Sequence, residues 1–300
     1  MKTTRFIAIL FLAVLASGCT KDNGGRINIF AEHMTAESNS KVLFDPTDLD
    51  AAEWTASETI NINNHIYSIS GTRNNGFSVN TSSDNLGSTL YAIYPGSSFG
   101  GNDVTVTNTA NGSGSTVVIN SLVLNYHGTK HDVVFPMATG GVSSSTHRMT
   151  FAHLTGGLKL TLTDNNPDED YTLGSVKIVT YSDDASATPI AARNGVTARW
   201  AVQGPSVPGG MPGSIEGDVS VLYSSEMHFT LKDDGAWGKD IPTGGSISLC
   251  VPVTVSSIKS LEVTGYSTTG EQLFVRTKSF GTAKSIDANK MYSIPTIEIN

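Results

Sequence analysis

Residues 149–163, "MTFAHLTGGLKLTLT", decide the fold because apolar and polar residues alternate through their second half. Leucine recurs at every second position, 158, 160 and 162, which places the three side chains on one face of a β-strand. The same period is found in Ile60 with Ile62, Val104 with Val106, and Val176 with Ile178. No long stretch after the N-terminal segment has a convincing helical period. The pattern therefore predicts an all-β chain.

Turn-forming residues separate these predicted strands. Gly, Asn, Asp and Pro cluster at residues 100–103, 111–112, 165–168, 194–195 and 269–270. Many short strands at this spacing are typical of β-sandwiches. A longer apolar run, "TVVINSLVLNY" at residues 116–126, suits a strand that is buried on both faces or passes a bulge. The small, polar stretch 137–148 is the best candidate for a domain boundary, and we interpret residues 202–218 as a long surface loop.

The first eighteen residues have the layout of a secretory signal. Lys2 and Arg5 precede an unbroken apolar run at residues 6–15. That run is shorter than the ~20 residues of a membrane-spanning helix, and it fits the apolar core of a signal peptide. Small residues at 16–18 then lead directly to Cys19. This layout predicts a secretory signal over residues 1–18.

Cys19 could be a buried thiol, a nucleophile or a lipid acceptor. Little in the sequence supports a disulfide with Cys250, which lies far away in the chain. The stretch "LASGC" at residues 15–19 resembles a bacterial lipoprotein signal, although Ala16 stands where leucine is usual. That resemblance implies removal of residues 1–18 and acylation of Cys19 (palmitate included), which leaves Cys19 at the head of a short polar tether, residues 19–25. More than one acyl chain gives stable membrane attachment, since each buried methylene contributes ~0.8 kcal/mol.

Charge and cysteine content exclude several functions. The full chain carries 19 basic and 27 acidic residues, and loss of Lys2 and Arg5 with the signal takes the net charge from −8 to −10. Such a chain is a poor nucleic-acid binder, because phosphate contacts need clustered cations. Cys250 is then the one thiol besides Cys19, which excludes a disulfide framework and a cysteine-based metal site. Its strand-like surroundings predict a structural thiol.

The sequence contains no convincing catalytic or metal-binding motif. His127 and His131 are four residues apart, but Gly128 and the flanking β pattern predict a surface hairpin loop instead of a metal site. Residues 164–171, "DNNPDEDY", lack the glycine and closing glutamate of an EF-hand and predict a solvated hairpin turn. Trp54, Trp200 and Trp237 could line a glycan site, although sandwich tryptophans are more often in the core. We therefore expect no catalytic residue, no metal and no cofactor, and a hydrolase is the weakest candidate class.

Five ordered segments carry a family resemblance: "WTASETININ" (54–63), "LYAIYPG" (90–96), "FPMATG" (135–140), "MTFAHLTGGLKLTLT" (149–163) and "SIDANKMYSIPTIEI" (285–299). Behind a lipoprotein signal, this order resembles the fimbrillin-like proteins of Bacteroidales, the subunits of type V pili. The resemblance implies two tandem transthyretin-like β-sandwich domains, here residues 26–143 and 148–300. The stretch "CTKD" at residues 19–22 is similar to tethers that send such lipoproteins to the outer-membrane surface.

The resemblance also implies a function without catalysis. Such subunits lose their N-terminal strand to a protease, accept a strand from another pilus subunit, and contribute to cell adhesion through a host protein or glycan. The exchangeable strand here would be residues 26–34, with Ile27, Ile29 and Ala31 on one side. An ordinary first strand that never leaves is the competing interpretation.

The cleavage position departs from the family pattern, which places an arginine shortly after the first strand. Residues 35–53 contain no arginine, so the processing candidates are Lys41 and the later Arg73, in a predicted loop. A subunit that is not cut would stay lipid-anchored, as a basal anchor or an unpolymerised surface protein, and a tip subunit is a further possibility. The alternative function is a lipid-anchored, surface glycan-binding protein.

Overall fold

The computed structural model of the chain describes residues 26–33, 43–44, 58–63, 65–73, 76–82, 89–98, 101–108, 114–143, 148–153, 155–166, 170–181, 192–193, 196–199, 223–224, 226–253, 255–286 and 291–299. Over these ranges the chain is all-β, as predicted: it forms 25 strands and no helix. The same residues accordingly contain no helix long and apolar enough to cross a membrane.

The strands are β1 (Arg26–His33), β2 (Leu43–Phe44), β3 (Thr59–Ile62), β4 (His65–Ser68), β5 (Ser70–Arg73), β6 (Gly76–Ser82), β7 (Thr89–Tyr94), β8 (Asp103–Asn108), β9 (Gly114–His127), β10 (Lys130–Asp132), β11 (Met137–Ser143), β12 (Arg148–His153), β13 (Gly156–Thr163), β14 (Tyr171–Tyr181), β15 (Ala192–Arg193), β16 (Val196–Arg199), β17 (Tyr223–Ser224), β18 (Glu226–Asp233), β19 (Ala236–Trp237), β20 (Lys239–Ile241), β21 (Ser246–Val253), β22 (Val255–Ser267), β23 (Gln272–Ile286), β24 (Met291–Ser293) and β25 (Ile297–Glu298).

Eight strands form the first sheet, in the order β4-β3-β7-β11-β12-β1-β6-β5. Its two end strands, β4 and β5, are consecutive in the chain and separated only by Ile69. A strand that bends in this way passes from one layer of a sandwich to the other. The N–H of Ile69 donates to the carbonyl of Glu58 at 3.0 Å, and β4 also contacts β6. The first sheet therefore folds back on itself into two layers.

A compact apolar core lies between these layers. Alternate residues of β3 and β7 reach it, and Ile69 fills the bend where the two layers meet. The sequence pattern predicted the alternation at Ile60 and Ile62, and both are buried. The buried members are Ile60, Ile62, Ile69, Val79, Leu90, Ala92, Tyr94, Met137, Met149 and Phe151.

The remaining strands form a larger sandwich from two further sheets. The second sheet runs β2-β10-β9-β18-β14-β22-β23, with β8, β16, β19 and β20 attached at its margins, and the third runs β21-β13-β24 with β25. Leu158, Leu160 and Leu162 are buried between them, as the alternation in β13 predicts. Cys250 is a fully buried free thiol on β21, which confirms its structural role.

Strand pairing crosses the predicted domain boundary in both directions. Strand β12, which follows the boundary, pairs with β1 and β11 of the first sheet. Strand β9, which precedes it, pairs in parallel with β18 of the second sheet, with Leu122 opposite Phe229. The division into domains at residues 26–143 and 148–300 stays a prediction.

The acidic stretch at residues 164–171 is not the hairpin turn that we predicted. Strand β13 belongs to the third sheet and β14 to the second, so the connection crosses between layers. Asp164 is buried, and its carboxylate accepts the N–H of Asn166 at 2.8 Å. The same Asx turn can occur in a hairpin and in a connection between layers, so this sequence signal does not distinguish the two.

Candidate functional site

The first strand lies in the interior of the first sheet, with a partner on each side. Seven positions of β1 pair antiparallel with β6, from Arg26 opposite Ser82 to Glu32 opposite Gly76. On its other side, residues 30–33 pair in parallel with Arg148 to Phe151 of β12. The N-terminal strand thus joins two strands that do not pair with each other in the described residues.

The register of β1 fixes which positions share the core face. Ile29 is the ladder partner of Val79, and Ala31 is the ladder partner of Met149. Ladder partners lie on the same face of a pleated sheet, and both Val79 and Met149 are buried in the core of the first sheet. The odd-numbered positions of β1 therefore lie on the face that this core occupies, which includes the predicted positions Ile27, Ile29 and Ala31.

Removal of β1 would leave a slot of defined chemistry. The backbone N–H and C=O groups of β6 and β12 that pair with β1 would lose their partners, and such groups are costly to leave unpaired away from water. An unpaired sheet edge also templates the addition of another strand. The apolar floor of this slot includes Val79, Met149 and Phe151.

The chain passes from the first sheet to the second directly after β1. Strand β2 pairs with β10 at the end of the second sheet, with Leu43 opposite Asp132 and Phe44 opposite His131. Lys41 lies between β1 and β2, outside the residues that the structure describes, as does Cys19. A cut after Lys41 would separate β1 from β2 and leave β2 on a different sheet.

Arg73, the second processing candidate, lies at the end of a strand and not in the loop that we predicted. It terminates β5 and is the ladder partner of Gly76 in β6. A peptide bond next to a paired strand residue must leave its sheet before a protease can bind it as an extended chain. A cut at Arg73 would therefore require β5 to separate from β6 first.

Two polar side chains are buried beside the core of the first sheet. Tyr94 and Glu58 are both fully buried. Burial raises the pKa of the Tyr94 hydroxyl well above its usual value, and the charge of Glu58 acts in the same direction. The peptide bond between Tyr94 and Pro95 is cis. The N–H of the next residue, Gly96, donates to the carbonyl of Thr59 at 2.8 Å.

The two histidines of residues 126–132 have different surroundings. His127 ends β9 and Lys130 begins β10, so the predicted hairpin is confirmed. His131, however, is fully buried and not on the surface as we predicted. Its Nε2 accepts the N–H of Cys250 at 3.0 Å, and burial lowers its pKa to about 4. Within the described ranges, no three His, Cys, Asp or Glu side chains are grouped so that they could hold a metal ion.

The exposed histidine belongs to a small polar cluster. His127 Nδ1 lies 2.8 Å from a carboxylate oxygen of Asp234, and Nε2 lies 3.2 Å from one of Asp132. The hydrogen bond to Asp234 is the largest cause of the raised pKa of His127. This cluster joins the β9–β10 hairpin to the turn between β18 and β19, which no local sequence signal indicates.

Trp237 in β19 is 65% exposed. The other two tryptophans that could line a glycan site, Trp54 and Trp200, lie outside the described residues. The large apolar side chains exposed in the described part are Ile66, Trp237 and Val275. They belong to three different strands, β4, β19 and β23.

Comparisons with known proteins give distant structural likenesses. No protein-family model and no curated protein sequence matches the chain. A proposed cell adhesion protein from Bacteroides ovatus ATCC 8483 is 11% identical, with 90% of this chain and 91% of that chain covered, at a TM-score of 0.39. A fimbrial protein from the same organism is 11% identical over 88% of this chain and 50% of that chain, with a TM-score of 0.24.

A point mutant of the major pilin of Streptococcus pyogenes is 10% identical, with 92% of this chain and 98% of that chain covered and a TM-score of 0.20. The structural neighbours thus include adhesion, fimbrial and pilin proteins. At these TM-scores the likenesses carry no structural argument. The all-β fold of the chain rests on its own strands.

Proposed function

We propose that the chain is a non-catalytic subunit of a surface fimbrium that assembles by donor-strand exchange and contributes to cell adhesion. The observation that carries the proposal is the position of β1. It is the first strand after the tether, it lies between β12 and β6, and its loss would open the first sheet over an apolar core. A strand added from another subunit would pair with the backbone groups of β6 and β12 and would also cover the apolar core.

Lipid attachment belongs to the same proposal. Acylated Cys19 would hold the subunit in the outer membrane while β1 fills its own slot. Cleavage after Lys41 would free the body of the protein from both the lipid and β1, because both precede the cut in the chain. A subunit that escapes cleavage would remain as an anchor.

The test compares the chain without its lipid, residues 20–300, with the same chain lacking residues 26–34. Sedimentation velocity should show a monomer for the first and self-association for the second. A synthetic peptide of residues 26–34 should return the shortened protein to a monomer. A matched peptide with Ile27→Asp and Ile29→Asp should fail to do so, since those positions lie on the core face of β1.

A monomeric, well-folded protein lacking residues 26–34 would refute strand exchange. Deletion of residues 20–25 alone is the control for shortening the N-terminus. It should leave the oligomeric state unchanged, because those residues precede β1.

A second candidate is a lipid-anchored protein that binds glycans and never polymerises. The exposure of Trp237 favours it. The N-terminal residue of the protein taken from the cell surface distinguishes the two candidate functions. A chain that begins at Val42 in stable oligomers supports the fimbrial subunit, and a chain that begins at acylated Cys19 supports an anchor or the glycan-binding lipoprotein.

A further inference from the structure

A row of side chains crosses four neighbouring strands of the second sheet and ends at Trp237. Asp132 of β10 is the ladder partner of Asn125 of β9, which is paired with Lys232 of β18. Lys232 is in turn the partner of Trp237 in β19. Ladder partners share a face, and three inter-strand steps span ~14 Å. We call these four residues the Trp237 row.

The Trp237 row lies on the solvent side of the second sheet. The residues that alternate with it, Leu124, Tyr126 and Leu231, point into the core shared with the third sheet. Asp132 is 17% exposed at its side chain, Asn125 and Lys232 are half-buried, and Trp237 is 65% exposed. Polar side chains beside one exposed indole give a ligand both hydrogen-bonding groups and an aromatic face.

The turn that carries Trp237 is fixed to β9. Asn125 Oδ1 accepts the N–H of Gly235 at 2.9 Å, and the carbonyl of Tyr126 accepts the N–H of Asp234 at 2.8 Å. The carboxylate of Asp234 also bonds His127. Asp234 and Gly235 both have positive φ, 45° and 85°, as the tight turn requires. Trp237 is therefore presented by an ordered hairpin, which reduces the entropy that a ligand must overcome.

The charges and apolar side chains around the Trp237 row indicate which class of ligand it can bind. Asp132 and Lys232 have opposite charges, Asp233 lies 2.8 Å from Lys239 Nζ, and Asp234 lies 2.8 Å from His127 Nδ1. Because the acidic groups around the Trp237 row have basic partners, their charges favour neither an anionic nor a cationic ligand. A protein interface would need further apolar surface around the indole, but the other large exposed apolar residues of the described chain, Ile66 and Val275, belong to β4 and β23. A neutral saccharide offers both a C–H face for the indole and hydroxyls for the polar groups.

We propose that the Trp237 row binds a short, neutral oligosaccharide, with a sugar ring stacked on Trp237 and hydroxyls reaching toward Lys232 and Asp132. The proposal deepens the second candidate function, on which it rests, by naming the site and the class of glycan. Because such binding needs neither strand exchange nor a lipid, its failure would leave the fimbrial proposal unchanged. The Trp237 row gives the chain an adhesive surface of its own.

The test is native gel electrophoresis of the mature protein, from Cys19 to Asn300, in a non-glycosidic detergent. The gels contain glycogen, hydroxyethylcellulose, galactomannan or desialylated gastric mucin. The native protein should be retarded in at least one gel. Trp237→Ala should weaken that binding by about tenfold, Trp237→Phe should weaken it less, and Lys232→Met should weaken it measurably.

The matched control is Ile66→Ala, which removes a comparably exposed apolar side chain from β4 and should leave retardation unchanged. Three outcomes overturn the proposal. The first is migration of the native protein unaffected by all four polymers, and the second is equal retardation of native protein and Trp237→Ala. The third is mucin binding that survives enzymatic removal of the O-glycans, which would mean that a protein is the ligand.

Discussion

The buried imidazole of His131 accepts the backbone N–H of Cys250 at 3.0 Å and so joins β10 of the second sheet to β21 of the third. A second bond runs beside it, from the Tyr126 hydroxyl to the carbonyl of Ser248 at 2.8 Å. The rings of Tyr126 and His131 are in edge contact, with centroids 5.1 Å apart. Two polar side chains thus connect the layers of the larger sandwich through main-chain groups of one strand.

Burial of the His131 imidazole makes stability depend on pH. The pKa of His131 is lowered from 6.5 to about 4 by burial, so the unfolded chain binds a proton at a higher pH than the folded chain does. The stabilisation is complete above pH 6.5 and is lost as the pH falls toward 4, by about 3 kcal/mol. His127, with its raised pKa, contributes in the opposite direction but is exposed.

Denaturant unfolding from pH 7.5 to 4 measures the effect. His131→Gln keeps an acceptor for Cys250 but does not titrate, so its stability should fall less over this window than that of the native protein. The exposed His65→Gln is the control and should follow the native profile. Parallel profiles for the native protein and His131→Gln would contradict the prediction.

Met149→Ala should weaken the slot for β1. Met149 is buried on β12, directly beside β1, and its truncation leaves a cavity that costs about 2 to 5 kcal/mol. Thermal unfolding measures this loss. In the protein lacking residues 26–34, the variant should also bind the 26–34 peptide more weakly. The exposed Ile66→Ala should change neither quantity, and unaltered peptide affinity in Met149→Ala would place the binding site elsewhere.

Lys41→Gln should block processing, while Arg73→Gln should not. Lys41 lies between two strands of different sheets, whereas Arg73 is paired with Gly76. Intact mass of protein from the cell surface should give a chain starting at Val42 for the native sequence and for Arg73→Gln, and an acylated chain for Lys41→Gln. The reverse pattern would make Arg73 the cleavage site, and an acylated native chain would identify an uncut subunit.

Cys19→Ala should abolish membrane attachment, because it removes the proposed acyl acceptor. Detergent phase partitioning of cell fractions shows whether the variant leaves the membrane. Cys250→Ala is the control for loss of a thiol, and it should still partition with detergent. Unchanged partitioning of Cys19→Ala would exclude lipidation at this residue.

Arg276→Gln should loosen the C-terminal strand. The guanidinium donates from Nε to the carbonyl of Glu298 at 3.0 Å and from Nη2 to that of Ile299 at 2.9 Å. Loss of these bonds should cost about 1 to 2 kcal/mol and speed amide exchange at Ile299, whose N–H donates to the carbonyl of Thr163. Lys278→Gln on the same strand is the control, and equal exchange in both variants would contradict the prediction.

Local periodicity predicted much of the fold. The leucines of β13 alternate because the strand covers a core on one face, and the burial pattern follows directly. The isoleucines of β3 alternate in the same way, but Asn61 between them is also buried. Turn chemistry was less informative. The signals at residues 164–171 correctly predicted a turn, but they did not predict which sheet the next strand would join. An Asx turn does not specify whether that strand belongs to the same sheet.

The strands that pair with β1 could not be predicted from the local sequence pattern. Its apolar alternation predicted a strand with one covered face, but pairing with β6 and β12 depends on residues distant in sequence. His131 shows the same limit. A histidine in a polar hairpin is expected at the surface, and its burial here is supported by the N–H of Cys250, on another sheet, and by the contact of its Nδ1 with the carbonyl of Asp132.

The parallel pairing of β1 with β12 has a consequence for the order of folding. Of the described strands β1 is synthesised first, yet its register with Arg148 to Phe151 requires roughly the first half of the chain to be present. Its seven positions opposite β6 can pair earlier, because Gly76 to Ser82 lie much closer in the chain, so β1 is paired on both sides only after β12 has been made. The first strand to be made is thus among the last to have both of its edges paired.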